Sequence, residues 1–180
     1  TGWTEFDKVY DGKNIPDEYR VTVPTEPQKM TVLIVPPMQE PYIKEISTGL
    51  EALQKEVGGR IEVVYPFAEP VGLICNDEGK NERMELNRAL YDAEDNMYDI
   101  IAGTFVLAGL SGDNFGSLDK DQIKQFSERF AKPEMFMRIN GKITAVEVKP
   151  SIKAKLDRLQ KEQNNTDKPQ PQKKPREETL

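Results

Sequence analysis

Hydrophobic positions divide the chain into short apolar runs separated by turn residues. Thr31-Val32-Leu33-Ile34-Val35 is a continuous, largely β-branched run closed by Pro36-Pro37, the pattern of a buried strand with an abrupt stop. Tyr42 to Ile46 alternates weakly and predicts an edge strand. Leu50, Leu53 and Val57 then recur at helical spacing, with Thr48 as the expected cap and Gly58-Gly59 as the end. Arg60 to Tyr65 predicts the next strand, with Ile61 and Val63 on one face. The connection from Pro66 to Pro70 is short, so Val71-Gly72-Leu73-Ile74-Cys75 should return antiparallel to it.

Asn76-Asp77-Glu78-Gly79 turns the chain, with Gly79 free to take a positive φ. Asn87 to Tyr91 predicts a single helical turn, and Asp92 to Asn96 a loop. Ile100 to Ala108, apolar on both faces, should be the most central strand, with Ala102-Gly103 leaving room for close packing or a bulge. The second helix is the best marked: Asp119 as N-cap, Gln122 three residues later, Leu118 and Ile123 spaced for a hydrophobic staple, and Pro133 as the stop. Its buried stripe should be Ile123, Phe126 and Phe130. Met135 to Ile139, Asn140-Gly141, and Lys142 to Val148 read as a β-hairpin.

These elements predict an α+β fold: a single domain over residues 30–148, with a mixed, mainly antiparallel sheet, two packed helices and a C-terminal β-hairpin. Residues 1–29 are expected to be a linker or the end of an upstream domain. Ile152, Leu156 and Leu159 give residues 149–163 the spacing of a helical extension. Residues 164–180, with three prolines and no aromatic residue, are expected to be a disordered tail. The chain starts at Thr1 instead of methionine, as a piece of a longer or processed protein would.

Composition narrows the chemistry. Apolar residues make up 37% of the chain and charged residues 31%, which suits a globular middle with polar ends. The longest apolar run is too short for a membrane-crossing helix, and no charged-then-apolar start marks a signal peptide, so no membrane partner is expected. Cys75 is the single cysteine, lies in an apolar run and is expected to be buried; a reducing, cytoplasmic setting follows. Histidine is absent altogether. That removes Cys–His and Ser–His–Asp catalysis and most zinc chemistry, so no catalytic residue, metal or cofactor is expected.

Net charge is −6, but it is unevenly spread. Through Val148 there are 16 Lys and Arg against 26 Asp and Glu; from Lys149 onward there are 9 against 5. An acidic body of this kind is not the clustered cationic surface that binds a duplex. The tail cations Lys168, Lys173, Lys174 and Arg176 allow at most a weak nucleic-acid contact.

The candidate binding residues are Asn76, Asp77, Glu78, Asn87 and Arg88, polar groups presented between two apolar runs. Asp77 and Glu78 lack the spacing of a calcium loop, and no phosphate-loop pattern is present. Arg88 is expected either to form a structural ion pair with Asp77 and Glu78 or to contact an anion.

Several separated motifs together carry a family resemblance: Thr31–Val35, Val57-Gly58-Gly59-Arg60-Ile61-Glu62, Tyr65-Pro66-Phe67, Ile74-Cys75-Asn76-Asp77-Glu78-Gly79-Lys80, Asn87-Arg88-Ala89-Leu90, and Asp99 to Phe105. Over residues 30–110, and more loosely to about Val148, the chain resembles the domain of unknown function family thirty-eight forty-six. Asn81 to Leu86 stands where the commoner pattern has a glycine-containing link. The resemblance implies a context of phages, conjugative elements and gut bacteria and assigns no activity. The expected function is a non-enzymatic accessory or interaction module of a mobile-element protein with a protein partner; an anti-defence role through DNA imitation is a narrower form. The alternative is a small-molecule or nucleotide-binding domain, as an enzyme or not, with Asp77, Glu78, Asn87 and Arg88 around a pocket.

Overall fold

The computed structural model describes residues 28–152 and 156–159. Positions 1–27 of the expected linker (residues 1–29) and all of the expected disordered tail (residues 164–180) lie outside these residues.

Lys29–Val35 (β1) pairs with Tyr42–Ser47 (β2), the Pro36-Pro37 stop having ended the first strand, and Leu50–Val57 (α1) follows. Ile61–Val64 (β3) and Val71–Asn76 (β4) form the expected antiparallel pair. Next come Leu86–Tyr91 (β5), Met97–Ala102 (β6), Phe105–Ser111 (β7) and Asn114–Gly116 (β8). Lys120–Arg129 (α2), Glu134–Ile139 (β9) and Lys142–Glu147 (β10) complete the body. The main sheet runs β2-β1-β7-β4-β3, with β8 added on β7, and two separate hairpins are formed by β5–β6 and β9–β10. Every described pairing is antiparallel, and β2 is an edge strand as its weak alternation predicts.

Successive residues of a strand point to opposite faces, so the continuous apolar run of β1 supplies two cores at once. Val32 and Ile34 join Leu53 and Val57 of α1 on one side of the sheet. Leu33 and Val35 join Phe126 and Phe130 of α2, together with Leu90 and Ile101 of the β5–β6 hairpin, on the other. The domain therefore has a helix below the sheet and a helix plus a hairpin above it. On the upper side Phe67, Phe105, Phe126 and Phe130 pack ring to ring, the closest pair at 4.6 Å between centroids. Full burial of one such ring contributes roughly 1.5–3 kcal/mol.

The capping box of α2 forms as the sequence predicts. Gln122 N donates to Asp119 Oδ1 at 2.8 Å, and Asp119 N donates to Gln122 Oε1 at 3.0 Å. Leu118 and Ile123 meet in the same apolar cluster. The β9–β10 hairpin turns through Asn140 and Gly141 at φ 51° and 81°, the positive values that favour this dipeptide.

Four expectations are corrected, and the freedom of Gly79 is not used. Asn87 to Tyr91 is strand β5, not a helical turn, because its backbone pairs with β6 across the Asp92–Asn96 turn. The predicted strand from Ile100 to Ala108 is broken: Gly103 adopts φ 79°, ending β6 and redirecting the chain into β7, which is the central strand of the main sheet. Gly79 does not take a positive φ; a Cβ there would lie 2.9 Å from the Ala102 carbonyl oxygen, so close approach is what requires glycine. The N-cap of α1 is Gly49, without a side-chain bond, and not Thr48. Leu50, expected on the buried face of α1, is exposed, whereas Leu53 and Val57 are buried.

Candidate functional site

The five candidate residues divide into two groups with different surroundings. Asn76 ends β4 and is buried. Its Oδ1 accepts from Glu78 N at 2.8 Å, the side-chain-to-backbone bond that favours Asn at such turns. Its Nδ2 donates to Val57 O at 3.4 Å, linking the turn to the end of α1. Asp77 accepts from Arg60 Nη2 at 2.6 Å and Glu78 from Asn81 Nδ2 at 2.7 Å. Asn76 and Asp77 line a small cleft of about 60 Å³, together with Glu62, Cys75, Lys80 and Asp99. Lys80 and Asp99 form an ion pair at its rim.

Asn87 and Arg88 lie elsewhere, fully buried between β1, α2 and the Gly103 turn. Asn87 Nδ2 donates to Val35 O and to Gly103 O, each at 2.8 Å. Arg88 Nη1 donates to Asn87 Oδ1 at 2.7 Å, and Nη2 donates to Gln39 O at 2.9 Å and Phe130 O at 2.7 Å. The planar fork thus gathers acceptors from three separate segments, which a lysine head cannot reproduce. Phe130 is the C-cap of α2, where the helix dipole favours a cation. The expected ion pair between Arg88 and Asp77 or Glu78 is corrected: Arg60 takes Asp77, and the Arg88 fork serves carbonyls and an amide.

Burial pushes the Arg88 pKa down to about 10, partly offset by the Glu134 carboxylate, and leaves the guanidinium charged at neutral pH. Burial likewise raises the pKa of Glu134, against the lowering pull of the Ala89 N–H that it accepts at 2.8 Å and of Arg88. Asn87, Arg88 and Glu134 together form a polar knot that ties β5 to β1, α2 and β9. Cys75 is buried, and desolvation, with the charges of Glu62, Asp99 and Asp77, pushes its thiol up to about 11. A thiol so placed is not an activated nucleophile.

A second depression adjoins the first and shares Lys80 and Asp99 with it. This groove, of about 340 Å³, is floored by Leu86, Met97, Tyr98, Ile100 and Ile143, between the β5–β6 hairpin and β10. Leu86, Tyr98 and Ile143 are 40%, 56% and 43% exposed, so the groove is an open apolar face and not an extension of the core. The residues that build it were missed in the sequence. Leu86 and Tyr98 carried a signal, as apolar side chains in otherwise polar surroundings. The Lys80–Asp99 pair, across a turn and a hairpin, carried none. Among the described residues no cluster of three or more metal-ligating side chains occurs, and no helix is long and apolar enough to cross a membrane.

The fold and this surface define an antiparallel α+β domain with one buried polar knot and one open apolar groove. The chain belongs to the family described as Domain of unknown function (DUF3846), whose model matches residues 30–131, more than half its length. No curated protein and no solved structure matches it.

Proposed function

We propose that this domain is a non-enzymatic interaction module, an accessory part of a mobile-element protein, and that a protein partner docks on the outer face of the β5–β6 hairpin beside the turn after Cys75. The observation that carries the reading is the groove floored by exposed Leu86, Tyr98 and Ile143. Aromatic and methionine side chains at an open groove supply contact area with little charge to desolvate, the usual make-up of the centre of a protein interface. The committed hydrogen bonds of Asn87 and Arg88 point the same way, since they hold the scaffold and are not presented to a ligand. The DNA-imitating form finds no support in the arrangement of charges: Arg60–Asp77, Lys80–Asp99, Lys44–Glu56 and Lys132–Glu147 interleave cations with the acids.

The test is affinity capture from a lysate of the organism that encodes the chain, comparing the native protein with Tyr98→Glu. Tyr98 is exposed, so the substitution should leave stability within about 0.5 kcal/mol. A defined protein retained by the native chain and lost with Tyr98→Glu supports the reading. Turnover of a nucleotide or small-molecule panel by the native chain, with no protein lost on substitution, sinks it and favours the ligand-binding alternative. In that case the ligand belongs in the Tyr98 groove, whose volume falls in the range of small-molecule sites, and not in the 60 Å³ cleft at Asn76.

A further inference from the structure

We infer that the groove recognises an extended peptide segment of a partner that sets a lysine or arginine head in the acidic cleft and, two residues along, an aliphatic side chain over Tyr98. This rests on the interaction-module reading and names the chemistry of its partner.

Two adjoining depressions of opposite character carry the argument. The larger is apolar and the smaller is lined by the carboxylates of Glu62, Asp77 and Asp99 against a single lysine, Lys80. Arg60 lies against Asp77 from outside that lining. The cleft therefore has a net negative balance, and the same carboxylates add to the larger effect of burial in raising the pKa of the neighbouring Cys75 thiol. The wider stretch from Asn76 to Asp99 is acidic too, with eight carboxylates against three cations, one of which is the buried Arg88. A cationic head is the group such a cleft favours.

Size and spacing agree with a peptide. At about 60 Å³ the cleft is small beside the 340 Å³ groove, which suits a compact head such as an ammonium or the end of a guanidinium. The groove's 340 Å³ takes an aliphatic side chain and part of its backbone. Because Lys80 and Asp99 line both depressions, the two are immediate neighbours. In an extended chain, residues i and i+2 project from one face about 7 Å apart, the arrangement that serves two adjacent pockets.

Amide NMR titration of the full chain tests this with three acetylated pentapeptides: Gly-Lys-Thr-Leu-Gly, its Lys-to-Glu counterpart, and its Leu-to-Ser counterpart. The first should move the resonances of Lys80, Tyr98, Asp99 and Ile100 saturably, and the other two should not. In Glu62→Lys, a change at an exposed strand position, the first peptide should lose most of its effect while the remaining spectrum is preserved. Equal shifts with the glutamate peptide overturn the cationic requirement and leave the groove as an interaction surface. Equal shifts with the serine peptide overturn the aliphatic requirement. No shift with any peptide overturns the inference as a whole, and capture with Tyr98→Glu then decides the interaction reading on its own.

Discussion

Arg88 donates from Nη2 to the carbonyl oxygen of Phe130, 2.7 Å away, and so joins the β5–β6 hairpin to the C-cap of α2. The bond spans 42 positions of sequence and lies wholly inside the protein. A buried cation held by carbonyls instead of a carboxylate is costly to form and costly to break, because each acceptor left behind stays dry.

Replacing Arg88 with methionine keeps the bulk and strands the acceptors on Phe130, Gln39 and Asn87. The expected loss is about 3 kcal/mol. Arg88→Lys should lose less, about 1–2 kcal/mol, since one ammonium cannot span all three. Urea unfolding of the two variants measures the order, and equal midpoints for lysine and arginine would refute the fork's role.

Glu134 gives a pH dependence with a definite sign. Its folded pKa is raised by burial above the ordinary 4.5, so the native state binds the proton more tightly than the unfolded chain. Stability from this group is therefore greatest in acid and falls as pH rises from about 4.5 through the folded pKa. Glu134→Gln, whose amide oxygen can still accept from Ala89 N, should flatten that fall. Chemical unfolding at a series of pH values reads it; an unchanged slope in the variant would contradict the assignment.

Gly103 should be the least replaceable of the positive-φ glycines. It sits at φ 79°, and an added Cβ would lie 2.7 Å from Met84 Sδ. Gly112, at φ 60°, has open space around the same position. Left-handed backbone costs a non-glycine residue about 1–2 kcal/mol. Gly112→Ala should show that alone, and Gly103→Ala should lose more by the shift forced on Met84. Thermal melts of both variants give the comparison.

Cys75 supplies a kinetic probe. Buried and with its thiol pushed up to about 11, it should resist a thiol reagent at neutral pH in the native protein and react on unfolding. The labelling rate in increasing urea should follow the opening of the sheet. Fast labelling without denaturant would place the thiol at the surface, against the structure.

The parts of the fold that were legible in the sequence are those fixed by local chemistry. The Asp119–Gln122 box, the Asn140-Gly141 turn and the apolar run of β1 each declare themselves within a few residues. What misled was sequence that looks local but is governed from afar. Asn87 to Tyr91 has a polar start and a short apolar end that suit a helical turn, and only pairing with β6 makes it a strand. Ile100 to Ala108 reads as one strand because an apolar run does not reveal that Gly103 turns it. The candidate site failed for the same reason. Arg88 is polar in sequence and among the most buried side chains in space, since its partners come from Gln39 and Phe130, 49 and 42 positions away.

The place of β7 in the sheet sets an order on assembly. It lies between β1 and β4, each of which already belongs to a hairpin made earlier in the chain, so Phe105–Ser111 is the seam between two otherwise unconnected pairs of strands. Nascent chain shorter than this point carries the residues of β1–β2 and β3–β4 without the strand that joins them, and either pair formed alone would expose a long apolar edge. The sheet becomes one object only when its middle strand, among the last to be made, is threaded between them. Folding during synthesis must therefore wait for it, and a chain stopped before Phe105 has the edges of this domain without its centre.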